Sequence, residues 1–389
     1  MTELSWTPRP IIDHPICGEN LALDPNFVFA AVLRDNPALH PRLRKLGAAI
    51  GGTPIIQLPH EPGGASIFGK AEFLNAFGTV KARPAFALVL DDLRRDAETP
   101  CCHRQYLSYG GATFHIALMG VVRAIGASLT LYSATFLTSE QHRLLESQGA
   151  KLALVDKNLG FYAIVEAAVA AAAKRPDLRF LYQHLDRPAL DIHYDTTGNE
   201  LAHQLSELVG QGYRVAALVA SIGTGGTLIG IARRLKESAF PSLQVFATTP
   251  SEQPYADPAP PNGATKFAGS GGFGFSRRQP FVSVSEDLLA GHFTVSYPAS
   301  LAASAEFAEL TGLHIGTSAA ANWMAARQLA RLLPPEAAVI CVLPSLAAET
   351  EAATAREELS AARSRTKCSV TSCGEFTSRD QVTTQEKQL

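Results

Sequence analysis

The chain reads as an α/β protein with mostly parallel, twisted sheets, and three observations carry that reading. Apolar runs of strand length alternate with helical segments of ten or more residues, as in "ASLTLYS" then "SEQHRLLESQG" and "AKLALVD" then "FYAIVEAAVAAAAK". The strand runs are continuously apolar, as expected for parallel strands covered by helices on both faces. A glycine-rich turn joins one such strand directly to a helix, in "RVAALVASIGTGGTLIGIARRLKE".

The 389 residues suffice for one large domain or two medium ones, and the 46% apolar and 18% charged residues suit a globular protein. A net charge of -2 gives no footprint for nucleic acid or an anionic membrane. The start, "MTELSWTPRPIIDHP", has no basic region leading into an apolar run, and no stretch of about 18 apolar residues occurs. The expectation is a cytoplasmic protein without a signal peptide or membrane span. Six cysteines in so long a chain make no disulfide framework, and neither Cys101-Cys102 nor Cys368/Cys373 has zinc-site spacing. No metal is expected.

Taken in order, residues 1–47 are rich in Pro, Asn and His with little periodicity and read as an N-terminal extension. Residues 48–350 read as the α/β domain, and 351–389 as a last helix to about Ala362 followed by a disordered polar tail. Strands are expected at "IGGTPIIQL" (Ile50 to Leu58), at "ASLTLYS", "AKLALVD" and Val215 to Ala220, and at "AAVICVLPS". Helices are expected at "SEQHRLLESQG", "FYAIVEAAVAAAAK" and "LIGIARRLKE", and a buried helix opens at "ARPAFALVL".

Two stretches carry chemistry. In "NAFGTVKARPAF" a lone lysine, Lys81, stands between a Gly-Thr turn and that buried helix. A lysine there either snorkels to water or has a chemical task. In Gly223-Thr224-Gly225-Gly226-Thr227, several backbone N–H groups and two hydroxyls meet the positive end of a helix dipole, which suits a phosphate. The turn lacks the Gly-Lys-Ser/Thr of a nucleotide-triphosphate loop and the G-x-G-x-x-G spacing of a dinucleotide fold. An ordinary strand-to-helix turn is the alternative.

Together the two stretches resemble the cysteine synthase and cystathionine β-synthase family of pyridoxal 5'-phosphate (PLP) enzymes, of the tryptophan-synthase-β fold type (fold type II). "GKAEFLNAFGTVKARPA" is similar to the family's K-x-E-x-x-N-P-x-G-S-x-K-x-R, and "GTGGT" to its phosphate cup. "IGGTPIIQL", "DIHYDTTGNEL" (Asp191 to Leu201), "GLHIGTSAAA" (Gly312 to Ala321) and "VICVLPS" follow in the family's order, over about residues 48 to 346.

The resemblance implies two three-layer α/β subdomains with PLP in the cleft between them, the smaller and mobile one spanning about Ala87 to Leu190. It implies that Lys81 holds PLP as a Schiff base, that Gly223, Thr224, Gly225, Gly226 and Thr227 cradle the phosphate, and that Ser318 meets the pyridine nitrogen. A neutral hydroxyl at Ser318 favours β-elimination over transamination. The implied reaction is β-replacement or β-elimination on an activated serine- or cysteine-like amino acid through an aminoacrylate, by a homodimer. Other PLP chemistry on the scaffold (dehydratase, deaminase or racemase) and a non-catalytic PLP-binding descendant are the alternatives.

The family's T-S-G-N-T-G loop is not kept. Its counterpart here is Gly110-Gly111-Ala112-Thr113-Phe114-His115, so Gly110, Gly111 and Ala112 stand where the substrate carboxylate is gripped. Thr113 replaces the asparagine that touches the PLP 3'-oxygen. His115 replaces a glycine near the substrate, as a packed helix histidine or as a substrate contact or proton carrier. Ala82 follows the lysine where Asp is usual, Ala76 replaces a proline, and "LPSLAAET" replaces the closing pattern. The departures leave the cofactor anchor and change the substrate side.

Overall fold

The computed structural model describes residues 41–135 and 137–371. The expected extension therefore lies largely outside the described residues, as does the polar tail beyond residue 371. What is described of the extension is a short helix, α1 (Pro41–Gly47), which buries Leu43.

Two sheets organise the chain. The larger has six strands in the order β1-β2-β10-β7-β8-β9: β1 (Ile55–Leu58), β2 (Ser66–Lys70), β7 (Arg214–Ser221), β8 (Gln244–Pro250), β9 (Gly291–Val295) and β10 (Ala337–Val342). Only the edge pair β1–β2 is antiparallel. The smaller is wholly parallel, in the order β5-β4-β3-β6: β3 (Gln105–Tyr109), β4 (Ser128–Ala134), β5 (Ala150–Val155) and β6 (Arg179–Phe180). Helices pack on both sheets, among them α2 (Ala82–Arg95), α3 (Ala112–Ala124), α4 (Ser139–Ser147), α5 (Phe161–Lys174), α6 (Pro188–Ile192), α7 (Asn199–Gly210) and α8 (Gly226–Glu237). The short α9 (Pro280–Ser283) is followed by α10 (Tyr297–Thr311), α11 (Thr317–Ala330) and α12 (Glu349–Thr371). This is the α/β architecture expected from the alternating runs, with the two sheets that the resemblance implies.

The sequence explains the central strands directly. All six residues of β10, AAVICV, are buried between helical layers, as a continuous apolar run requires. α4 opens with a capping box in which Thr138 and Gln141 satisfy each other's backbone N–H groups. α12 runs nine residues beyond the expected stop at Ala362. Its charged sequence has no helix breaker before Thr371, and Arg363 is anchored to Glu309 on α10. Among the described residues no helix is long and apolar enough to cross a membrane.

Candidate active site

A cleft opens where the C-terminal ends of β7 and β10 meet the start of α2. This is the edge at which open α/β sheets place their ligands. Thr79, Val80 and Lys81 form one wall, Gly223, Thr224, Gly225 and Thr227 another, and Ser318, Pro344 and Ser345 a third. Thr113 reaches in from α3, on the smaller sheet.

Lys81 is held by its backbone. Val80 N–H donates to Pro344 O at 2.8 Å, Thr79 bridges Ser345, and Lys81 N–H donates to Thr79 Oγ1 at 3.2 Å. Upstream, Asn75 Oδ1 accepts from Gly51 N–H at 2.8 Å. Phe77 takes a left-handed φ of 63° and lays its ring on α3, where a Cβ on Gly120 would lie 2.2 Å from it. The Lys81 amine, half-buried, has no hydrogen-bond or ion-pair partner among the described residues, and burial pushes its pKa down to about 8.

Gly223–Thr227 builds a cradle that no larger residue fits. A Cβ on Gly223 would sit 2.2 Å from Gly269 O, and Gly225, at φ +86°, would bring one within 2.3 Å of Val282. α8 begins at Gly226, whose N–H reaches Thr224 Oγ1 at 3.1 Å. Gly226 itself lies behind the lining. Glycines, a helix N-terminus and an unpaired lysine across the cleft fit a phosphate-bearing aldehyde cofactor.

Beneath the lysine lies a network of two cations and two carboxylates. Arg83 donates to both oxygens of Glu72 at 2.7 and 2.8 Å and of Glu200 at 2.7 and 2.9 Å. Lys70 donates to Glu200 at 2.7 Å and to Thr53 O at 2.5 Å. Asn75 Nδ2 donates to Glu72 at 2.8 Å. All four charged side chains are buried. Burial alone would raise the Glu200 carboxyl, but Arg83 and then Lys70 outweigh it and hold it well below the usual carboxylate range. A single segment ties this network to the cup. His193 Nε2 lies 3.1 Å from Thr227 Oγ1 and Nδ1 2.9 Å from Thr197 Oγ1, while Glu200, seven residues on, grips Arg83.

Lys81, Thr113, Gly223, Thr224, Gly225, Thr227 and Ser318 are thus brought together at one cleft. Gly110, Gly111 and Ala112 are not in its lining, although they form the turn into α3 beside Thr113. His115 is likewise not in the lining. Its side chain is fully buried, and neither ring nitrogen has a hydrogen-bond partner. Burial pushes its pKa down to about 3. The reason is helical phase: His115, Leu118, Met119 and Val122 share the stripe that α3 turns to the core. Ala268, Gly269 and Ser345 line the cleft without having been expected there. The first two lie in a glycine-rich loop with no periodicity, and no local signal marks them.

A known family describes the same span of chain: residues 46–345 match the pyridoxal-phosphate dependent enzymes. The chain belongs to that family. Its cofactor is PLP. This PLP enzyme is similar to a probable cysteine synthase of Bacillus subtilis (strain 168), 28% identical over 296 residues, which cover 75% of this chain and 91% of that one. It is similar to cystathionine beta-synthase of Apis mellifera, 26% identical over 306 residues, 76% of this chain and 58% of that one. Among solved structures it shares its fold with the O-acetylserine dependent cystathionine beta-synthase of Helicobacter pylori, at a TM-score of 0.68 and 23% identity, covering 77% and 94% of the two chains.

Proposed function

We propose that this PLP enzyme catalyses β-replacement or β-elimination on an activated serine- or cysteine-like amino acid, with Lys81 as its anchor and proton carrier. The observation that carries the reading is the Lys81 amine, without a partner and lowered to about 8, facing a glycine cradle across one cleft. When bound, PLP supplies an electron sink for the charge left at the α-carbon. An amine near pKa 8 is neutral often enough to bond to a carbonyl carbon and, once released, to take the α-proton. The backbone N–H groups of Gly223, Thr224, Gly225 and Thr227 hold the phosphate, and Ser318 offers a neutral hydroxyl to the pyridine nitrogen. Thr113 donates to the cofactor's phenolic oxygen, and the N–H groups of Gly111 and Ala112, at the start of α3, take the substrate carboxylate, that of Gly110 being held by Tyr132 O at 3.2 Å. Closure of a smaller subdomain, about residues 87–190, excludes water. The names of the relatives, cysteine synthase and cystathionine beta-synthase, support this chemistry.

The enzyme acts on a free amino acid, in the cytoplasm, as a homodimer. Light scattering should give twice 41.4 kDa. The deciding test is the visible spectrum of purified wild type and Lys81→Ala with PLP, followed by a screen of amino acids for β-elimination products. A lysine-bound cofactor band, lost in the variant, together with pyruvate or a β-substituted product is expected. A wild type without that band, or racemised or deaminated α-products alone, would overturn the reading.

A further inference from the structure

The first turn of α11, which carries Ser318, has no capping side chain of its own. Gly316 precedes the helix and offers nothing to its orphan N–H groups. A capping serine or aspartate is disfavoured there, since a Cβ on Gly316 would crowd Ser345, at 3.1 Å from its Oγ and 3.2 Å from its carbonyl oxygen.

The cap comes from another helix. Thr317 Oγ1 donates to Glu351 Oε1, in the first turn of α12, at 2.7 Å and accepts from Ala268 N–H at 3.3 Å. Thr317 is wholly buried, while Ala268 and the next residue along, Ser318, both line the cofactor cleft. The sequence of α12 holds Glu351 at this point. Ala352 and Ala355 are buried, and Ala355 packs with Leu301 and Ala305 of α10, so the turn that begins α12 is pinned. Burial raises the Glu351 carboxyl above its ordinary value of 4.5, against the Thr317 hydroxyl and the N–H groups of Thr317 and Ala348, which favour the charged form. It bonds to no cation among the described residues, so it is committed to the end of α11.

We infer that Glu351 is a positioning residue for the pyridine end of the cofactor: through Thr317 it fixes the first turn of α11, and with it the Ser318 hydroxyl and the Ala268 wall. The inference rests on the placement of the pyridine nitrogen at Ser318 proposed above. Without the clamp, PLP binding must itself order that turn, and the entropy of ordering lowers the affinity.

The test uses equilibrium dialysis of PLP and the nitrogen-15 resonance of ring-labelled PLP in the holoenzyme. Glu351→Ala should weaken PLP binding about five- to tenfold, the effect of one hydrogen bond, and move the pyridine resonance in the same direction as Ser318→Ala does. A loss of stability alone leaves that resonance where it is. Glu351→Gln keeps an acceptor for Thr317, so its affinity should stay within about twofold of the wild type and its resonance should not move. Thr317→Val should reproduce Glu351→Ala, and the double variant should bind PLP no more weakly than either single one. Unchanged affinity or resonance in Glu351→Ala, a Glu351→Gln variant as weak as Glu351→Ala, or losses that multiply in the double variant would each overturn the inference. If Ser318→Ala leaves the resonance unmoved, the pyridine placement fails by itself. Amide hydrogen exchange over residues 317–321 of the holoenzyme then decides the clamp. Exchange hastened about fivefold in Glu351→Ala but not in Glu351→Gln upholds it, and equal exchange overturns it.

Discussion

Replacing Arg83 by Met tests whether the charge network beneath Lys81 is a single coupled structure. In the wild type the two cations Lys70 and Arg83 balance the two carboxylates Glu72 and Glu200, all buried. Arg83→Met removes four hydrogen bonds to carboxylate oxygens and two to hydroxyls, of 3.0 Å to Thr196 and 3.3 Å to Thr53. Two buried carboxylates are then left against Lys70 alone. Breaking a buried pair by deleting one partner costs about 3–5 kcal/mol, since the remaining charge stays desolvated and unpaired. Domain stability is about 5–15 kcal/mol, so this is a large share of it. Adding Glu200→Gln restores the balance, with Lys70 against Glu72, and the double variant should be more stable than Arg83→Met alone. Urea unfolding at saturating PLP reads both, provided the slope with denaturant is unchanged. A loss below about 1 kcal/mol for Arg83→Met, or two losses that simply add, would refute the idea of a coupled network.

The same network sets an acid limit. Glu200 is held below its ordinary value of 4.5, so its contribution to stability is present above that pH and is lost as pH falls towards the lowered value. Unfolding midpoints measured from pH 7 down to 3 should fall for the wild type and fall less for Glu200→Gln. Lys81, lowered to about 8 from 10.5, should make PLP capture by the apoenzyme rise about tenfold per pH unit below 8 and level off above it. A rate still climbing at pH 10 would place the amine in ordinary solvent. Gly223→Ala brings a methyl within 2.2 Å of Gly269 O, and equilibrium dialysis should show PLP binding weakened tenfold or more with the circular dichroism unchanged. Thr227→Val removes one of the two bonds of the His193 ring and should weaken PLP binding by severalfold, since one neutral hydrogen bond is worth about 1 kcal/mol.

What could be read from the chain, and what could not, divides along physical lines. β7 and β10 were legible because strands buried on both faces must be apolar throughout, β4 and β5, though partly exposed, because their short apolar runs stand between helical segments, and those helices because their apolar spacing repeats. β6 has two residues, too few to show any period. The loop carrying Ala268 and Gly269 is irregular backbone, whose course depends on contacts such as Ser270 Oγ to Ile222 O at 2.6 Å. At the site, residues close in sequence were legible as groups: Lys81 with its turn, and Gly223 to Thr227. For His115 the packed-histidine and substrate-contact readings both stood open, because an ungapped alignment carries position but not helical phase. The stripe of His115, Leu118, Met119 and Val122 would have shown the inward phase.

The remaining lesson concerns the residues around the lysine. Lys70, Glu72, Asn75 and Arg83 surround Lys81 in the chain, and a dense motif about a reactive lysine invites a catalytic role for each. The fold turns them downward instead, into a sealed arrangement without solvent access. Arg83, two residues from Lys81, is clamped to Glu200, and Glu200 continues the segment whose His193 steadies Thr227 of the cup. The lysine and the phosphate cradle come from distant parts of the sequence, and side-chain bonds through this segment link them. The motif's charges keep two walls of the cleft at a fixed separation, and of these residues Lys81 is the one that lines it.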